Sequence, residues 1–288
     1  MGIRSSRTVS VPTLPLGKQI PQIVHQTFRT RQLKPELAIN VDEMKRCNTD
    51  WDYRFYDDAD LKAYVLKYYG PDFVAYFDAI NEQYAPAKAD LFRYLVMYRE
   101  GGLYLDIKSQ ATRPLNQVIE PSDRYLISQW RNGPDSRYPT WGLHSELRNI
   151  PGGEYQQWFI LAAPGHPFLK ATIEQVLRNL RRYNPVRYGV GKQAVLRTTG
   201  PIAYTLAIAP IRRQHPHRMV DSIADLGFRY SIYADDDHQA ALGNHYSNLD
   251  QALIGKHPLT PVAVSVRRTA EMARHSLSRG RRLLMRPA

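Results

Sequence analysis

The chain has 288 residues, 43% of them hydrophobic, with 19 tyrosines and 8 phenylalanines, which suffices for a large core and excludes global disorder. The single Cys47 excludes an internal disulfide and suits a reducing compartment. The formal charge of +12 is unevenly spread, with Arg267, Arg268, Arg274, Arg279, Arg281, Arg282 and Arg286 set against Glu271 alone. No apolar run approaches the roughly 20 residues of a membrane span, and the first residues lack the apolar stretch of a signal peptide. The chain therefore reads as soluble and cytoplasmic.

Residues 1–19, with Pro12 and Pro15 and little periodicity, read as a flexible leader. Ile20-Pro-Gln-Ile-Val-His-Gln-Thr-Phe28 reads as a first buried strand and its loop, and Tyr53-Arg-Phe-Tyr56 alternates as a strand does. Asp57-Asp58 caps a helix with Leu61, Tyr64, Val65 and Tyr68 on one face, stopped by Gly70-Pro71. A short helix with Phe73, Phe77 and Ile80 follows. Leu91, Tyr94, Leu95 and Tyr98 recur at helical spacing until Gly101-Gly102 ends the helix, and Leu103-Tyr-Leu105 restarts as a buried strand. Arg124–Trp130 and Gln157–Ala162 are strand candidates, and His166–Tyr183 is a helix. Thr199-Gly-Pro201 opens another helix, and Phe228, Tyr230 and Ile232 alternate as a late strand. Strands alternating with helices predict an α/β fold whose sheet is mixed near its end.

The helix and strand around Gly101-Gly102 carry four charges that packing does not explain. Asp90 and Arg93 stand three apart, on one helix face. A surface ion pair there contributes only a few tenths of a kcal/mol. Asp106 is more telling, because it sits at the carboxyl end of a buried strand, where ligands bind in open α/β sheets. A carboxylate in that place is paired or working, since burying it alone is expensive.

These residues resemble the hallmark of the family 32 glycosyltransferases, the DXD sugar-binding region: Ala89-Asp-Leu-Phe-Arg-Tyr94 and Gly101-Gly-Leu-Tyr-Leu-Asp-Ile-Lys108. Ile20–Phe28, Ala163-Pro-Gly-His-Pro-Phe168 and Thr199-Gly-Pro-Ile-Ala-Tyr-Thr205 fall in the family's order, so the resemblance spans about Ile20 to Asp250. It implies a GT-A-like nucleotide-binding sandwich, with a mainly parallel central sheet flanked by helices, over residues 20–260. It also implies transfer of a hexose from a nucleotide-sugar donor to a glycan or lipid-linked acceptor, with retention of configuration. By resemblance, Asp90 and Arg93 hold the donor sugar's hydroxyls, and Asp106 contacts the ribose or sugar and places a metal. His25, Gln26 and Thr27 lie near the base, and Tyr104 belongs to the donor-binding set. A carboxylate beside a guanidinium supplies both the acceptors and the donors that sugar hydroxyls need.

The departure is Lys108, where the family usually has the aspartate that holds Mn²⁺ or Mg²⁺. A charged lysine has no lone pair with which to coordinate a cation. Three readings stay open: Lys108 itself neutralises the leaving diphosphate; it points away while Asp106 and later residues hold a metal; or the chain is a catalytically inert nucleotide-sugar or glycan-binding module. His245, in Asn244-His-Tyr-Ser247, resembles the family's late histidine and is the second candidate metal ligand, against a structural hydrogen bond. Asp235-Asp-Asp237 reads more readily as a solvated turn.

Lys192 and Arg197 precede the Thr199-Gly200 helix start, where free N–H groups favour anions; a basic loop is the bland alternative. His166 suits a helix cap. Trp130, Tyr138 and Trp141 are candidates for acceptor contact, because aromatic faces stack on sugar rings. Residues 261–288 form a basic tail with Met272, Leu277, Leu283, Leu284 and Met285 interleaved. That pattern favours an anionic membrane surface, on the inner face of a membrane, over nucleic acid, with a solvated terminus as the bland alternative. The net charge raises nucleic-acid binding as a rival, but no recognition motif accompanies it.

Overall fold

The structure, a computed structural model, describes residues 9–233, 246–270 and 272. It is α/β, with a six-stranded sheet flanked by helices. The strands are β1 (Ile23–Thr27), β2 (Asp52–Tyr56), β3 (Gly102–Leu105), β5 (Tyr125–Ser128), β6 (Phe159–Ala162) and β7 (Arg218–Val220), in the order β2-β1-β3-β6-β5-β7. The pairs β1–β2, β1–β3 and β5–β7 are parallel, and β6 runs antiparallel to both its neighbours. The sheet is thus mainly parallel with β6 reversed. A separate two-stranded ribbon pairs β4 (Gln110–Ala111) with β8 (Phe228–Arg229), the late strand expected from Phe228 and Tyr230.

Helix α1 (Pro35–Cys47), which the sequence reading left unassigned, precedes β2. Helix α2 (Asp58–Tyr69) starts with a full capping box, Asp57 with Asp60, and buries Leu61, Tyr64 and Val65. Helix α3 (Pro71–Ala79) buries Phe73 and Phe77. Helix α4 (Ala85–Glu100) is buried on every side from Asp90 to Tyr98. Asp90 and Arg93 therefore lie inside the protein and not on a solvated face.

Two glycines turn the chain from α4 into β3. Gly101 has φ +69° and Gly102 φ +99°, and a Cβ on Gly102 would stand 2.3 Å from the Ile23 carbonyl oxygen. Beyond the sheet lie α5 (Pro167–Arg181), α6 (Pro185–Tyr188), α7 (Gly191–Thr198) and α8 (Pro201–Ile208). A last helical segment occupies residues 260–270. Among the described residues no helix is long and apolar enough to cross a membrane.

The expectation of a flexible leader over 1–19 needs correction for residues 9–19, which dock on the body. Val11 is buried in the main core, and Gly17 N–H donates to the Pro164 carbonyl (2.8 Å). Tyr98 O–H donates to the Pro12 carbonyl (2.9 Å) while its oxygen accepts from Leu14 N–H (3.0 Å). Proline-rich extended chain has no periodicity to read, and its partners are supplied by side chains far along the sequence.

Candidate active site

The four charged residues form one connected cluster at the carboxyl end of β3. Arg93 Nη2 lies 3.2 Å from Asp90 Oδ1 and 3.1 Å from Asp106 Oδ1. Lys108 Nζ lies 3.3 Å from Asp106 Oδ2. Arg93 Nη1 donates to the carbonyl and the side-chain oxygen of Gln157 (2.8 and 2.7 Å), in the segment leading into β6. Arg93 also stacks over the Tyr104 ring, 4.6 Å from its centroid.

Burial separates the members. Asp90 and Arg93 are almost fully enclosed, whereas the Asp106 side chain keeps 23% of its surface. Asp90 Oδ2 accepts from the Thr199 hydroxyl (2.9 Å) and Oδ1 from the Gln157 amide (3.2 Å). Burial raises the Asp90 pKa, with Arg93 and Thr199 opposing. Burial works against the Arg93 charge, but Asp106, Tyr104 and Asp90 more than offset it and raise its pKa. Two buried N–H groups here have no partner among the described residues, Arg93 Nε and Trp158 Nε1. Orphaned donors of this kind are uncommon in native interiors.

The turn after β3 is tightly held. Ser109 N–H donates to the Asp106 carbonyl (2.8 Å), and Asn40 of α1 donates to the Ile107 and Ser109 carbonyls (3.1 and 2.8 Å). Lys108 is 7% exposed, bonds the Tyr230 carbonyl (3.4 Å) and lies 3.8 Å from that ring's centroid. Lys108 therefore points at Asp106, which removes the reading in which it turns away.

The three β1 residues are occupied by the protein. His25 Nε2–H donates to the Gly101 carbonyl and Nδ1 accepts from Tyr56 O–H, both at 3.0 Å. Gly101 is at the opposite end of β3 from Asp106. Burial lowers the His25 pKa to about 4, with Glu100 opposing, so the ring is neutral. Gln26 donates to the Leu105 carbonyl (3.3 Å) and accepts from Tyr53 O–H (2.9 Å). Thr27 shares a hydrogen bond with the Tyr104 hydroxyl (3.0 Å). His25 thus fastens the strand start, while Gln26 and Thr27 reach towards the charged cluster through Leu105 and Tyr104.

Other candidates separate as follows. Trp130 and Tyr138 are buried in an aromatic cluster with Trp141, Trp158 and Tyr230, and Trp141 is exposed. That cluster reaches the charged site through the Tyr230 ring. Lys192 is exposed at the far end of α7 from Thr199, and Arg197 pairs with Glu146. His166 caps α5, accepting from Phe168 N–H (3.2 Å) and donating to the Pro216 carbonyl (3.0 Å). His245 and Asp235-Asp-Asp237 lie outside the described residues. Gln157, Trp158 and Tyr230 were legible only as strand positions, and Thr199 only as a helix start.

A divalent cation at a diphosphate is held by one or two carboxylates, with waters and the phosphates filling its other positions. This turn offers one carboxylate, with one oxygen on Arg93 and the other on Lys108. The described residues contain no group of three or more His, Cys, Asp or Glu that could hold an ion. Among the described residues, this turn therefore leaves no carboxylate oxygen free for a divalent cation.

With this geometry in place, comparison with known proteins is informative. Residues 35–125 match the glycosyltransferase sugar-binding region containing a DXD motif. It is similar to inositol phosphoceramide mannosyltransferase 3 of Schizosaccharomyces pombe, 29% identical over 186 residues, 64% of this chain and 43% of that protein. It is also similar to the initiation-specific alpha-1,6-mannosyltransferase of the same yeast, 27% identical over 230 residues, 76% and 56% of the two chains. The chain spans about half the length of these curated relatives. Among solved structures, the PaToxG glycosyltransferase aligns with a TM-score of 0.47 at 17% identity, over 67% of this chain and 70% of that one.

Proposed function

We propose that the protein is a GT-A-like glycosyltransferase that moves a hexose, mannose by analogy with its relatives' names, from a nucleoside-diphosphate sugar to a glycan or lipid-linked acceptor. The observation that carries this reading is the Asp90–Arg93–Asp106 cluster beside the carboxyl end of β3, enclosed except at Asp106. Asp106, the most exposed of the three, meets the sugar hydroxyls, and Arg93 orients it. Asp90, Gln157 and Thr199 hold Arg93 in place, and Tyr104 supports it from below. Trp141 receives the acceptor. Transfer retains configuration: the acceptor oxygen attacks on the face the diphosphate leaves, and the departing phosphate oxygen takes the acceptor's proton. This route needs no protein nucleophile.

The basic tail, with exposed Val262, Val266 and Met272 at the start of it, holds the enzyme on an anionic membrane surface facing the cytoplasm. Released nucleoside diphosphate, measured across a panel of donor sugars, tests the function. Turnover of the mannose donor at least about 10-fold above its epimers is expected, with proton NMR of the first product giving the donor's anomeric configuration. Donor binding without release, for every acceptor tried, would instead establish the inert binding module that Lys108 suggests.

A further inference from the structure

We propose that Lys108 replaces the divalent cation of the DXD motif, so that its ammonium, and no metal, offsets the charge of the leaving diphosphate. The inference rests on the reading of the cluster as a nucleotide-sugar site. It begins from a charge equality: an aspartate carrying a divalent cation presents one net positive charge, and so does an ammonium. The exchange of aspartate for lysine removes the ligand and supplies the charge in the same substitution.

The surroundings hold that charge where the motif needs it. Lys108 Nζ sits between Asp106 Oδ2 (3.3 Å) and the Tyr230 carbonyl (3.4 Å), over the Tyr230 ring. Its backbone is fixed on both sides: Ile232 N–H donates to the Lys108 carbonyl (2.8 Å), and the Ser109 hydroxyl donates to the Tyr230 carbonyl (2.7 Å). A metal entering here would compete with Lys108 for Asp106 Oδ2 and with Arg93 for Oδ1. It would also face the repulsion of both cations.

In the transfer step, the bond from the sugar's anomeric carbon to the β-phosphate oxygen breaks. Its electron pair stays on the diphosphate, the acceptor oxygen bonds the anomeric carbon, and the acceptor's proton moves to the departing oxygen. Lys108 donates a hydrogen bond to the diphosphate as this charge develops and keeps its own proton. A preorganised donor of this kind contributes about 10²–10³-fold to the rate.

The test uses the full chain, freed of metal, with two readouts: binding of the nucleoside diphosphate by calorimetry, and its release from the donor sugar. Wild type is expected to bind and turn over equally, within about 2-fold, in EDTA and in excess Mn²⁺. Lys108→Met should lose about 10²-fold in turnover and at least about 10-fold in diphosphate affinity, unrescued by Mn²⁺, with Lys108→Arg recovering part. Lys108→Asp, which restores the two-aspartate motif, should become active only with Mn²⁺. Thermal melts confirm that each variant is folded. Turnover by wild type that needs Mn²⁺ would overturn this inference and leave the glycosyltransferase reading standing. Neither binding nor turnover under any condition would overturn both.

Discussion

Asp90 and Asp106 are carboxylates on one guanidinium with opposite circumstances. Asp90 has both oxygens engaged and is enclosed, so removing Arg93 leaves a buried charge without its cation. Arg93→Met should therefore cost about 3–5 kcal/mol of stability, measured by urea denaturation. Thr199→Val removes the donor to Asp90 Oδ2 and should cost about 1–3 kcal/mol. As a positioning residue, Thr199 should also raise the donor KM more than it lowers kcat. The histidines set the pH response. Burial lowers the folded pKa of His25 and of His166 to about 4, against 6.5 ordinarily. Between those values the unfolded chain binds protons that the folded chain refuses, so stability is full above about pH 6.5 and falls as pH drops towards 4. Each histidine accounts for about 3 kcal/mol of that fall. His25→Asn should flatten the slope of unfolding free energy between pH 6.5 and 4.5 by about half, and an unchanged slope would contradict the assignment.

At the scale of elements, the unit that matters is α4, the glycine pair and β3, because it fixes Arg93 and Asp106 on either side of one turn. Gly102→Ala forces a methyl against the Ile23 carbonyl at a φ that side chains rarely adopt. It should destabilise the protein by more than about 3 kcal/mol, whereas Asp57→Ala, which removes the α2 cap, should cost about 1 kcal/mol. Denaturant midpoints for the two variants check the ordering. This unit was legible in the sequence because its signals are local: helical spacing, a glycine stop and a short apolar strand. The partners of Arg93 and Asp90 were not. Gln157 and Thr199 lie 67 and 109 residues from Asp90 in the chain, and only the packing of β6 and α8 against α4 brings them near. The α1 helix was missed for a different reason: its apolar residues, Leu37, Val41 and Met44, are few among polar neighbours. The leader was misread because docked, extended proline-rich chain carries no periodic signal.

For the whole molecule, the sheet directions place the candidate site at the carboxyl ends of β1 and β3, while residues 9–19 dock at the opposite end of the strands. The net charge divides in the same way, with the arginine-rich tail set apart from the balanced charges of the site. Replacing Arg274, Arg279, Arg281, Arg282 and Arg286 by glutamine should abolish sedimentation with anionic vesicles and leave transfer to a soluble acceptor unchanged. Binding that persists would remove the membrane reading without touching the enzyme.

The central claim is that a single accessible carboxylate, tied to Arg93 and Lys108, holds the donor while its diphosphate departs. Asp106→Asn keeps the shape and a hydrogen-bonding oxygen but deletes the charge, so the fold should survive. Steady-state release of nucleoside diphosphate by wild type and this variant measures the claim directly. A loss of about 10²-fold or more with an unchanged melting temperature is the predicted result, and turnover within about 2-fold of wild type would contradict it.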